Sequence, residues 1–201
     1  MPTTRLSSFF SRYQPSRGDP EHRVRAAVLC PLFIEENSFK ILFIKRSQTV
    51  RAHKGEISFP GGVRDHTDTS LAQTCLRETE EEIGVEAGRI KLLGSLDEVC
   101  TSTGYLVTPF LGTIDDPYDL TLSTSEVDKV IRVPITSLYQ PENQIDFYYF
   151  NGKVLQAQIA YRYGEHTIWG ATARILGRLL ELGQEHDLFN IPSNHKFHLA
   201  S

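Results

Sequence analysis

Apolar positions along this chain change period several times, and each change marks an element. Residues 23–34 form a nearly continuous apolar run and residues 39–45 form another. The polar turn Glu35, Glu36, Asn37 and Ser38 separates them, so the two runs predict a hairpin. Residues 56–59 alternate and predict a short strand into the turn Pro60, Gly61, Gly62. Then the period becomes helical. Leu71, Cys75, Leu76 and Ile83 share one face, Asp68, Thr69 and Ser70 are N-cap candidates, and Gly84 suits the C-terminal stop. Residues 86–96 read as a turn and a strand. Residues 105–114 read as a strand that Pro109 should push to an edge or into a bulge. After the polar loop 115–125, runs at 147–150 and 154–163 flank Asn151-Gly152, a two-residue hairpin signal. Their aromatics, and Trp169 beyond them, are read as core rather than as a base-stacking platform. An amphipathic helix covers 173–183, and another, short, covers 3–13 through Leu6, Phe9, Phe10 and Tyr13. The order of strands, helix, strands, hairpin and helix predicts an α/β (α+β) fold, a mixed sheet with helices on its faces.

Composition narrows the function classes. The chain has 201 residues, enough for one domain with a sizeable core, and 21 Lys plus Arg against 25 Asp plus Glu, a net charge of −4. That balance gives no global nucleic-acid footprint. No apolar run is long enough for a membrane span, and the first residues lack a secretory apolar core. Cys30, Cys75 and Cys100 are scattered and odd in number, which fits reduced thiols in a cytoplasmic protein. His195 and His198 lack the partners a metal site needs. The expected organisation is an N-terminal extension over 1–22 that docks on the domain or makes a homodimer contact, a domain over 23–182, and a tail over 183–201.

The candidate chemistry lies between residues 42 and 85. Glu78, Glu81 and Glu82 stand at i, i+3 and i+4, which places three carboxylates on one helical face. Like charges at that spacing repel, and a hard divalent cation, Mg²⁺ or Mn²⁺, offsets the repulsion while bridging to substrate phosphates. An acidic run is by itself usually a solvated surface, so the wider constellation carries the argument. Upstream, Arg46, Arg51, His53 and Lys54 form a basic stretch suited to phosphate. Gly61 and Gly62 allow close backbone approach to a ligand or metal.

Residues 77–85, Arg77-Glu78-Thr79-Glu80-Glu81-Glu82-Ile83-Gly84-Val85, resemble the second half of the Nudix box, Arg-Glu-U-x-Glu-Glu-x-Gly-U with U aliphatic. Thr79 departs at one aliphatic position. Counting back by the family spacing puts Thr69 and Val63 where a glutamate and a glycine belong. One extra loop residue brings Asp68 and Gly62 there instead, and leaves Asp68 to orient Arg77. Leu42 to Ser47, then Arg51, Gly55, Ile57, Phe59, Pro60, Gly61 and Gly62, resemble the signature of the coenzyme A pyrophosphatases in that family, as do the turn of Ser102, Thr103, Gly104 and Tyr105 and the run Ile168-Trp169-Gly170.

The resemblance implies the Nudix alpha/beta/alpha sandwich with its loop–helix–loop, and metal-dependent cleavage of coenzyme A or its thioesters to 3′,5′-ADP and 4′-phosphopantetheine. Glu78, Glu81, Glu82 and Gly61 would hold the metal. Arg77 would support them, and Arg46, Arg51, Lys54, Gly104 and Tyr105 would bind substrate. The base would be Glu126 or Glu81, with Glu98 as a competitor. Another nucleoside diphosphate derivative, such as ADP-ribose, or a non-catalytic nucleotide-sensing role, are the alternatives.

Overall fold

The computed structural model describes residues 2–35, 38–50, 53–115, 119–150 and 154–191. Its strands are β1 (Val24–Glu35), β2 (Ser38–Arg46), β3 (Ile57–Ser58), β4 (Gly61–Val63), β5 (Ile90–Ser95), β6 (Val99–Cys100), β7 (Tyr105–Ile114), β8 (Val127–Pro134), β9 (Gln144–Phe150), β10 (Leu155–Tyr163) and β11 (His166–Ile168). The helices are α1 (Pro2–Phe10), α2 (Leu71–Ile83), α3 (Ile135–Leu138) and α4 (Gly170–Glu185).

The main sheet runs β3-β2-β1-β7-β5, with β8 on β2, β6 on β7 and β4 on β1. Strand β7 lies parallel to β1, and the other pairs are antiparallel, so the sheet is mixed. Both faces are covered, which is why β1 and β2 read as continuous apolar runs. Ala27, Leu29, Leu42 and Ile44 pack against Cys75 and Ile83 of α2. Their neighbours Cys30, Leu32, Ile41 and Phe43 pack with Leu6 of α1, Leu138 of α3, and Leu176 and Leu179 of α4. Helices on both sheet faces make the sandwich.

Three features position the site. First, β1 and β2 pair at Leu32–Ile41 through Glu35–Ser38 and then part. The chain from Ile57 to Val63 fills the fork, β3 on β2 and β4 on β1, with Leu29 N–H donating to Pro60 O at 2.8 Å. Second, α2 has firm ends. Ser70 Oγ accepts the Gln73 N–H, and Gly84 adopts φ 73° where an added Cβ would lie 2.8 Å from Thr121 Cβ. Third, Asp97 and Glu98 fasten the N-terminal segment: Ser16 N–H donates to Asp97 and Gly18 N–H to Glu98.

Strand β7 corrects the edge alternative expected from Pro109, while its pairing with β5 does carry a register shift between Leu92 and Gly94. It is interior, flanked by β1 on one side and by β5 and β6 on the other. Pro109 O accepts from Leu96 N–H, in the gap between β5 and β6. The missing proline donor faces that gap too, so no ladder bond to β1 is lost. The tip of the β9–β10 hairpin, Asn151-Gly152, lies outside the described residues, as do His195 and His198; the antiparallel pairing on either side of the tip is present.

The aromatic reading needs a correction as well. Tyr161 and Ile168 join the core, but Phe147, Tyr149 and Trp169 belong to neither apolar cluster of the described residues. Strand period explains this: Phe147 and Tyr149 lie opposite Gln158 and Gln156 on one face, whereas Tyr161 lies on the other.

Candidate active site

The acidic face of α2 is built from its neighbours upward. Arg77 Nε and Nη2 donate to Asp68 Oδ1 and Oδ2, both at 3.1 Å. Thr74 Oγ1 and Asp65 N–H also donate to Asp68 Oδ2, at 2.8 and 2.9 Å. The Arg77 guanidinium first, with those donors, holds the buried Asp68 carboxyl well below the usual aspartate range. Arg77 then reaches both carboxylates beside it, Nη2 to Glu78 Oε1 and Nη1 to Glu81 Oε2, each at 2.9 Å. Arg77 Nη2 also donates to Val63 O at 3.3 Å, tying the helix to the glycine loop.

Glu82 is the buried member, 1% exposed. Its Oε2 accepts the Gly61 N–H at 2.9 Å, and Arg46 Nη1 lies 3.5 Å from its Oε1. Burial pushes the Glu82 carboxyl up to about 8; the nearby Glu78 and Glu126 carboxylates add to the rise, and Gly61 N–H and Arg46 oppose it. Glu78 is raised too, by burial first and by Glu81 and Glu126, against the pull of Arg77. Glu126, exposed at the head of β8, is thus within electrostatic reach of both; Ser47 N–H donates to its backbone O at 2.8 Å. Gly62 touches Glu78 so closely that an added Cβ would lie 2.4 Å from its carboxyl carbon.

Other candidates divide. Glu98 is withdrawn from the competition: its carboxylate, 2% exposed, accepts from Arg25 Nη2 at 2.8 Å and Thr108 Oγ1 at 2.7 Å as well as from Gly18. Lys54 is exposed on the turn before β3, and Arg51 lies outside the described residues. Gly104 takes φ 88° in the β6–β7 turn, and Tyr105, partly buried, opens β7. The departure at Thr79 is also accounted for: the side chain is fully buried and its hydroxyl donates to Cys75 O at 2.7 Å, so the polar atom is satisfied inside the helix.

Sequence reasoning missed Ser58. Its register partner Ile44 faces α2, so Ser58 shares the face from which Arg46 reaches Glu82. Ser58 Oγ and Arg46 Nε are both buried without a hydrogen-bond partner. No composition or spacing signal marks a serine in a short strand. Among the described residues, no three His, Cys, Asp or Glu side chains are gathered into a closed ligand shell, because Arg77 draws in Glu78 and Glu81 while Gly61 holds Glu82. The donor set, hard carboxylate oxygens on one face beside unpartnered buried polar atoms, fits a divalent cation with a phosphate ligand.

The NUDIX domain family matches residues 23–156, and the chain belongs to that family. Two relatives, from Photorhabdus laumondii and from an Escherichia coli O7:K1 strain, each carry the name "Uncharacterized Nudix hydrolase NudL". The first is 34% identical over 185 residues, 88% of this chain and 96% of its own length. The second is 34% identical over 189 residues, 89% of this chain and 95% of its own length. A MutT/nudix family protein of Enterococcus faecalis shares the fold, with a TM-score of 0.53 at 16% identity over 90% of this chain and 69% of its own. The class is therefore that of the Nudix hydrolases, which act on phosphoric anhydrides and generally use divalent metal ions. No helix of the described residues is long and apolar enough to cross a membrane.

Proposed function

We propose that the protein is a Nudix pyrophosphohydrolase of coenzyme A or its thioesters, releasing 3′,5′-ADP and 4′-phosphopantetheine or its acylated form. The observation that carries this reading is the buried Glu82 carboxylate with Arg46 Nη1 3.5 Å from it, on the sheet face that Ser58 shares, where Arg46 Nε and Ser58 Oγ are buried without hydrogen-bond partners. Arg46 and Ser58 both belong to the 42–62 segment that resembles the coenzyme A pyrophosphatase signature, Arg46 at the end of β2 and Ser58 in β3, which pairs with β2 in the sheet fork.

Glu78, Glu81 and Glu82, with Gly61 at the loop, would hold Mg²⁺ or Mn²⁺. When bound, the cation supplies Lewis-acid charge that neutralises the diphosphate and acidifies the attacking water. Arg77 positions Glu78 and Glu81 through Asp68. Arg46, with Arg51 and Lys54 from the same segment, balances phosphate charge. Glu126 or Glu81 takes the proton from water. Gly104 and Tyr105 line the substrate's far end.

The test is product analysis with coenzyme A, ADP-ribose and a nucleoside triphosphate, each with Mg²⁺ or Mn²⁺. Release of 3′,5′-ADP from coenzyme A, abolished by chelator and by Glu82→Gln, is the expected result. Turnover of ADP-ribose alone would keep the anhydride chemistry and overturn the substrate. No turnover by folded, metal-loaded protein would overturn catalysis in favour of nucleotide sensing.

A further inference from the structure

The chain has one tryptophan, and it stands in a ring ladder outside the core. The Phe147 and Trp169 rings stack at a centroid distance of 5.1 Å and an interplanar angle of 29°. Tyr149 lies 6.2 Å from Trp169 at 46°. All three are only partly buried. Beside them, directly opposite Phe147 in the β9–β10 register, is Gln158, whose Nε2 is buried with no hydrogen-bond partner. Its neighbour Gln156 is already engaged, accepting from Tyr149 O–H at 2.7 Å. A partly open aromatic face next to an unpaired amide donor is the equipment for a flat heteroaromatic ring with acceptors on its edge.

The elements on either side of Trp169 link the ladder to the segments that carry the candidate site. Strand β11, immediately before Trp169, runs alongside β3, with Cα atoms within 8 Å; β3 carries Ser58 and leads into the glycine loop. Trp169 is also the N-cap residue of α4, and Arg174 on the first turns of that helix donates to Cys100 O at 2.8 Å, holding the strand that leads into the Gly104–Tyr105 turn. We infer that Phe147, Tyr149, Trp169 and Gln158 seat the adenine of the nucleotide substrate, the rings by stacking and Gln158 by reading the base edge. The inference deepens the coenzyme A reading and rests on it for the identity of the base.

A single tryptophan makes the test direct. The intact protein, without added metal so that nothing is turned over, is titrated while its intrinsic fluorescence is followed. The expected result is saturable quenching by 3′,5′-ADP and by coenzyme A, but not by 4′-phosphopantetheine, which has no base. In steady-state assays Trp169→Ala should raise KM about 5- to 150-fold, the range of one lost stacking partner, with kcat moving less. Trp169→Phe should restore most of the KM, and Gln158→Leu should raise KM for the adenine substrate. Equal quenching by 4′-phosphopantetheine, no quenching by 3′,5′-ADP, or unchanged KM in Trp169→Ala would overturn the adenine seat even if coenzyme A is cleaved. Quenching by 3′,5′-ADP without coenzyme A cleavage would leave the seat standing and overturn the substrate reading instead.

Discussion

Arg77 grips Asp68 with two parallel N–H···O bonds of 3.1 Å and uses its remaining donors on Glu78 and Glu81. The carboxylate that orients the arginine is thus nine residues upstream, and the box glutamates are placed through it. Asp68→Ala or Asp68→Asn should lower kcat/KM about 10- to 100-fold, the usual effect of losing a group that orients metal ligands. The same variants should weaken the apparent metal affinity in a Mn²⁺ titration of activity. Wild-type metal dependence in a folded Asp68→Asn protein would show that Arg77 is held adequately by Val63 O and the glutamates alone.

The two glycines of the loop should fail in different ways. Gly61 sits at φ 147°, and an added Cβ would meet Ala27 O at 2.3 Å, backbone that cannot turn aside. Gly61→Ala should cost about 1–3 kcal/mol from the backbone conformation alone, and the clash adds to it. Gly62 has an ordinary φ, and the atoms nearest to its added Cβ would be those of the flexible Glu78 carboxyl, at 2.4 Å. Gly62→Ala should therefore leave the thermal midpoint nearly unchanged while displacing Glu78 and reducing kcat. Paired thermal melts and kinetics separate the two; equal stability losses would contradict this account.

Periodicity and caps made most of this architecture legible. Helix α2, the β1–β2 hairpin and the central strand 105–114 all stand where apolar spacing and turn residues place them. Asp68 as the partner of Arg77 was legible once the loop was given one extra residue. What sequence could not give is pairing between distant strands. The fork that receives residues 57–63 depends on β1 and β2 parting, which no local pattern encodes. The commitment of Glu98 to Arg25 and Thr108 likewise depends on β6 folding beside β7. That Phe147 and Tyr149 stand on the face away from Tyr161 was not legible, because aromatic residues in an alternating strand look the same on either face, and Trp169 lies beyond β11 at the N-cap of α4, where no strand period applies.

The N-terminal helix is part of the folded unit in an energetic sense. Leu6 is fully buried and Phe10 is 4% exposed, in the cluster that also contains Leu176 and Leu179 of α4. Leu6→Ala should destabilise the protein by about 2–5 kcal/mol, the range for deleting a buried leucine. Denaturant unfolding with an unchanged m-value would measure it. A loss under ~0.5 kcal/mol, typical of surface positions, would show that α1 is dispensable to the core.

The segment after that helix should give stability a two-sided pH dependence. Burial pushes the Asp97 carboxyl up, but the Ser16 N–H, the Tyr13 hydroxyl and the Arg178 guanidinium together hold it below the usual aspartate value. A carboxylate with a lowered folded pKa contributes stability that is present above its unfolded pKa, about 3.9, and is lost as pH falls through the folded value. Tyr13 goes the other way: burial first, and then Asp97, raise its phenol above the usual 10. Its contribution is complete below the unfolded pKa and disappears as pH rises through the folded one. Thermal midpoints measured from pH 3 to 11 should therefore decline at both ends. Asp97→Asn should flatten the acid limb, because the neutral amide no longer titrates, and should soften the alkaline limb because one cause of the Tyr13 shift is gone. Tyr13→Phe should remove the alkaline contribution and leave much of the acid limb, since Ser16 and Arg178 still hold Asp97. Profiles of the two variants that run parallel to wild type at both ends would show that the Asp97 hub does not govern how the N-terminal segment is held.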